Sequence, residues 1–200
     1  MRLYAVITPP PHVLADVAAA VERASAAAPQ VPWLGRDLWH LRLAYFGNLD
    51  LEQSMAVRET LQQIGSYSPP LSLRMVGIEA IPEDERAESL VFGLEGDLDD
   101  LSSLAQAIPS MVQKHGLFLD RRSFRSDITV AHEIREPFDA RAAASALATY
   151  QGVPWTAHEM QVVRWRPGSG GTADAWEEVE TYKFTAPREE PTEDTADTDG

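Results

Sequence analysis

The chain contains no cysteine, which removes disulfides, thiolate metal sites and a cysteine nucleophile and fits a reducing compartment. Lysine is almost absent as well. Lys114 and Lys183 are the only lysines, so nearly all positive charge is arginine, whose planar fork pairs bidentately with phosphate or carboxylate. A coding bias toward arginine would give the same composition. No apolar run is long enough to span a bilayer, and the stretch MRLYAVITPPP is too short in apolar residues before its prolines to act as a secretory signal. A cytoplasmic protein with no membrane partner is therefore expected. The net charge of -14 argues against non-specific coating of nucleic acid, which needs clustered positive charge. The sequence has neither a glycine-rich phosphate loop nor an HExxH pattern, so nucleoside triphosphate hydrolysis and zinc proteolysis lack support.

What is present reads as one well-buried α+β unit. Residues 2 to 8 are apolar at nearly every position, as in a strand covered on both faces. Three prolines then admit only a helix start, and Val13, Val17, Val21 and Ala24 recur at helical spacing until Pro29. A second strand within residues 33 to 48 puts Trp39, Leu41, Leu43 and Tyr45 on one face and His40, Arg42, Ala44 and Phe46 on the other. Asp50 and Gln53 form a capping-box pattern ahead of a helix whose stripe is Leu51, Met55, Leu61 and Ile64. Strands over 71–81 and 89–94 follow, then a helix with Leu101, Leu104, Ala105, Ile108, Met111 and Val112 on one face, opened by Asp97 or Asp99 and closed before Gly116. A short alanine-rich helix after Pro137 and strands near 155–166 and 175–185 complete residues 1–186. Residues 187–200 are acidic without aromatic or large aliphatic side chains and are expected to form a disordered tail.

Between these elements lies DRRSFRSDITVAHEIR, residues 120 to 135, expected to be a strand. Arg121, Arg122 and Arg125 lead into a period-two alternation that places Asp127, Thr129, Ala131 and Glu133 on one face and Ile128, Val130, His132 and Ile134 on the other. By that parity His132 points away from Asp127 and Thr129 unless a bulge intervenes. The order strand, helix, strand with a polar pair occurs twice, ending once at His40/Arg42 and once at Asp127/Thr129. Two similar lobes with antiparallel sheets, flanked by helices around a central cleft, would follow from such a duplication.

The pairing of LWHLRLAYFGNLD with DRRSFRSDITVAHEIR, the intervening LSLRMVGIEAIPEDERAESLVFGLEG and the closing WRPGSGGTADAWEEVETYKF resemble the RNA 2',3'-cyclic phosphodiesterases of the two-histidine phosphoesterase superfamily, also called the 2'-5' RNA ligase family. The resemblance covers roughly residues 1 to 185. It implies two His-x-Thr-x motifs facing each other across a cleft. Here the first reads His40-Leu41-Arg42-Leu43, with arginine for threonine, and the second reads Asp127-Ile128-Thr129-Val130, with aspartate for histidine.

On this resemblance the expected activity is metal-independent and cofactor-free hydrolysis of 2',3'-cyclic phosphate ends of RNA or small nucleotides, weakened by the altered motifs, in a monomer. A catalytically inactive binder of phosphorylated RNA ends or nucleotides is the alternative. Opening a cyclic phosphate needs in-line attack by water, a base, an acid for the leaving ribose oxygen, and donors on the phosphoryl oxygens. With histidine near ~6.5 and aspartate near ~3.9, the expected roles are His40 as acid and Asp127 as base, with Thr129 beside them. Arg42 and Arg125 are the expected phosphate contacts. A salt bridge between Arg42 and Asp127 would instead close the cleft. His12, His115 and His158 are expected to be structural or solvated, and Trp33, Trp39 and Phe46 to be core.

Overall fold

The computed structural model describes residues 2–120, 124–166 and 175–187. The elements run β1 (Leu3–Ile7), α1 (Pro11–Ala27), β2 (Leu41–Gly47), α2 (Leu51–Tyr67), β3 (Leu71–Ile81), β4 (Ser89–Gly96), α3 (Leu98–Val112), β5 (Asp127–His132), α4 (Arg141–Leu147), β6 (Trp155–Ala157), β7 (Glu159–Arg166) and β8 (Ala175–Lys183). All eight strands belong to one sheet in the order β6-β3-β4-β5-β2-β1-β7-β8, and every pairing is antiparallel. The order divides at the β5–β2 seam into two four-stranded lobes. In each, the strand at the seam pairs with the strand that precedes it through a helix: β1-α1-β2 in one lobe, β4-α3-β5 in the other.

The residues 155–166, expected as one strand, are two. His158 separates β6, which pairs with β3, from β7, which pairs with β1. These consecutive strands stand at the first and seventh places of the sheet, a separation one residue can bridge only if the sheet curls so that its two ends approach. The strand expected over 120–135 is shorter, Asp127–His132, and Arg121 and Arg122, the expected tail from 188 onward and the turn at 167–174 lie outside the described residues.

Helix starts follow local chemistry. At α2, Asp50 Oδ1 accepts from the Gln53 amide at 2.8 Å, and Gln53 Oε1 accepts from the Asp50 amide at 3.1 Å, so the capping box is complete. Its stripe differs from the expected one. Leu51 and Met55 are 79% and 62% exposed, and the buried residues are Val57, Thr60, Leu61, Ile64 and Gly65. Only the second half of the helix is covered, where it packs on α3 and β8. There a Cβ at Gly65 would lie 2.7 Å from the Lys183 carbonyl oxygen, so glycine permits the close approach. At α3, Asp97 occupies the cap position but makes no capping bond; its Oδ2 accepts from the Ser72 amide at 2.6 Å instead, tying the helix start to β3. Buried side chains from both lobes form one contiguous core, in which Leu41, Phe92 and Ile128 are fully enclosed. Trp39 and Phe46 belong to it and Trp33 packs against it. Among the described residues no helix is long and apolar enough to cross a membrane.

Candidate functional site

The seam between the lobes is a single register point, Leu41 opposite Ile128. Antiparallel geometry then sets His40 against Thr129 and Arg42 against Asp127, so one member of each altered motif faces the other across the seam. The structure gathers His40, Arg42 and Thr129 around one cavity of about 380 Å³. His132 and Ser89 line the same cavity, and Tyr4, Trp165 and Trp176 supply its aromatic wall.

His40 stands just before β2. Its Nδ1 is 3.1 Å from Thr8 Oγ1, and its buried Nε2 has no hydrogen-bond partner among the described residues. Trp176 packs edge-on against the ring, with centroids 5.6 Å apart. Burial lowers the His40 pKa to about 4, although nearby Asp37 pulls the other way. The folded protein therefore holds this imidazole neutral near pH 7. A neutral ring can accept a proton, which is the chemistry of a base, whereas the sequence reading expects an acid at this position.

Asp127 and Arg125 are brought to each other and not to His40. Arg125 Nε donates to Asp127 Oδ2 at 2.5 Å and Arg125 also lies 3.5 Å from Glu79. This cluster lines an adjoining concavity of about 450 Å³ with Phe124 and Ser126. Asp127 is thus neutralised by Arg125, and the hydrogen bond that Arg125 donates to Asp127 raises the Arg125 pKa. The alternative ion pair between Arg42 and Asp127, which would have closed the cleft, does not form. Arg42 has no salt-bridge partner among the described residues, so one guanidinium is left facing the His40 cavity.

His132 does not point away from Thr129, because a bulge intervenes in β5. Between Leu90/Ala131 and Val91/Thr129 the register of β4 and β5 slips by one residue, leaving Val130 without an opposite partner. Val130 and Ala131 are consequently both buried and the alternation changes phase. Thr129 and His132 then open on the same cavity, where His132 Nδ1 lies 2.8 Å from Ser89 Oγ. A second bulge in β2 does the same to the first motif. The shift between Ala5/Ala44 and Val6/Arg42 makes Leu43 and Ala44 both buried. Tyr45 thereby joins the Arg42 face and Phe46 enters the core, opposite to the expected alternation.

The aromatic wall was not among the expectations from sequence. Tyr4 lies 4.7 Å from Tyr45 and 4.9 Å from Trp176, and Trp165 lies 4.9 Å from Trp176, centroid to centroid. A signal existed: two tryptophans flank the glycine-rich stretch after Pro167, and the β7–β8 register places Trp165 directly opposite Trp176. Among the described residues no group of three His, Asp or Glu side chains is arranged to hold a metal ion.

Fold and cavity together define a bilobal antiparallel α+β protein with a cavity where the two lobes meet. No family model matches the chain, and no curated protein matches it. Solved structures do. A protein of Thermus thermophilus, TT0787, superposes with a TM-score of 0.71 at 18% identity over 94% of this chain and 100% of its own. Escherichia coli LigT in complex with 3'-AMP gives 0.70 at 17% identity over 92% and 98%. A protein described as a phosphoesterase gives 0.70 at 16% identity over the same shares. At these identities what is shared is the fold.

Proposed function

We propose that this chain is a phosphoesterase of the cyclic phosphodiesterase type, hydrolysing 2',3'-cyclic phosphate ends of RNA or of small nucleotides without a metal. The observation that carries the reading is the convergence of His40, Arg42 and Thr129, from opposite lobes, on one cavity. The fold shared with LigT, solved with 3'-AMP bound, and with a phosphoesterase supports the same ligand class. Arg42, free of a carboxylate partner among the described residues, would hold a phosphoryl oxygen by a charge-assisted hydrogen bond, and the Thr129 hydroxyl would donate to a second. Neutral His40 would take the proton from attacking water as the new P–O bond forms. Trp176 and Tyr4 would exclude solvent around that exchange.

Asp127 contributes nothing to this scheme while Arg125 holds it. Loss of one well-placed acid or base removes ~10²- to 10⁴-fold of rate, so slow turnover is the expected outcome. The same ion pair favours the second reading, a cleft that binds phosphorylated ends without turning them over. Incubation with a 2',3'-cyclic nucleotide separates the two. Turnover that disappears in His40→Ala and weakens in Arg42→Ala supports the enzyme. Saturable binding that Arg42→Ala and added salt both weaken, with no product, supports the binder. Neither turnover nor binding would remove both.

A further inference from the structure

Resting on the phosphodiesterase reading, one role in the reaction is unfilled: a proton donor for the leaving ribose oxygen. The site contains a group for it that neither motif predicts. His132 lines the same cavity as His40, Arg42 and Thr129, arrives there only because of the extra residue at Val130, and is held by Ser89 Oγ at 2.8 Å from its Nδ1. We infer that His132 is the second catalytic histidine of this cleft, displaced five positions along β5 from Asp127, and that Ser89 is its positioning residue.

The chemistry balances with these groups. Water attacks phosphorus, its proton passes to His40, the phosphorus bond to one ribose oxygen breaks, and that oxygen takes a proton from the imidazolium of His132. The products are a phosphate monoester and a free ribose hydroxyl. The two histidines end with exchanged protonation states and return to their starting forms through solvent. An imidazole suits the donor because it can hold a proton near neutral pH and release it to an alkoxide. A hydrogen bond on one ring nitrogen fixes which way the other faces, which is the contribution assigned to Ser89. Without the phase change at the bulge, His132 would lie on the core face with Ile128 and Val130, which are fully buried.

The test compares turnover of a 2',3'-cyclic nucleotide by the unaltered protein, His132→Gln, Asp127→Asn, Ser89→Ala, Ser89→Thr and His40→Ala. His132 is exposed, so His132→Gln should fold, which far-UV circular dichroism checks. The inference expects kcat to fall about 100-fold or more in His132→Gln and by much less in Asp127→Asn. Ser89→Ala should lower kcat with little change in KM, and Ser89→Thr, which keeps the hydroxyl, should recover most of it. Full activity in His132→Gln alongside a dead His40→Ala would overturn the inference and leave the phosphodiesterase reading standing. A larger loss in Asp127→Asn than in His132→Gln would return the role to Asp127. No turnover by the unaltered protein would overturn both.

Discussion

Between about pH 4 and ~6.5 a folded His40 and an unfolded one differ by a proton, because burial keeps the folded ring neutral. In that window the unfolded chain binds the additional proton, so stability falls as the pH drops from ~6.5 toward about 4 and flattens below; above ~6.5 both forms are neutral and His40 adds no slope. The full effect is on the order of 3 kcal/mol. Urea unfolding followed from about pH 7 down to about pH 4 should show this decline in the unaltered protein and a shallower one in His40→Gln; equal slopes would show that another group is responsible. The residue types at the site were legible in the sequence: His40, Arg42 and Thr129 were singled out there and meet in one cavity. What Asp127 and Arg125 would do was not, because their two-residue spacing says nothing about whether the aspartate meets its neighbour or the arginine across the seam. The Nε donor at 2.5 Å settles it locally.

Elements whose signals are local follow the sequence closely. The Asp50–Gln53 box spans one turn and needs no tertiary partner. Asp50→Ala should cost about 1 kcal/mol, read as a shift in the urea midpoint without a change in slope; a cost near zero would mean the first turn of α2 is frayed. The end of β4 is more demanding. Gly96 has φ +117°, and a Cβ there would fall 2.0 Å from the Ser72 carbonyl oxygen. Gly96→Ala should therefore destabilise by more than about 2 kcal/mol, and a near-neutral result would show that the β3–β4 pair relaxes at its end. Strand faces were the hardest feature to read from sequence. Alternation assumes an unbroken ladder, and the motif strands carry extra residues, at Leu43 and Phe46 in β2 and at Val130 in β5. Nothing in LRLAYF or DITVAH marks the position, since valine, leucine and alanine are ordinary strand residues.

At the scale of the molecule, the two lobes are joined through the sheet where Leu41 meets Ile128, both fully buried. Ile128→Ala should cost about 2–5 kcal/mol and, because one core runs through both lobes, unfolding should remain a single transition in fluorescence and circular dichroism. Separate transitions would show lobes that fold independently. The same seam makes the cavity, so its geometry depends on contacts between residues about ninety positions apart. The sequence by itself determined the helices, the cap of α2, most of the strand positions, the α+β class and the doubled strand-helix-strand order, since each is written in periodicities and turn residues a few positions long. The tertiary structure decided which polar groups share a cavity: it removed Asp127 and Arg125, brought in His132 with Ser89, and set Trp165 and Trp176 beside His40. Those outcomes depend on register between distant strands, and a one-residue slip in register exchanges the faces of everything beyond it.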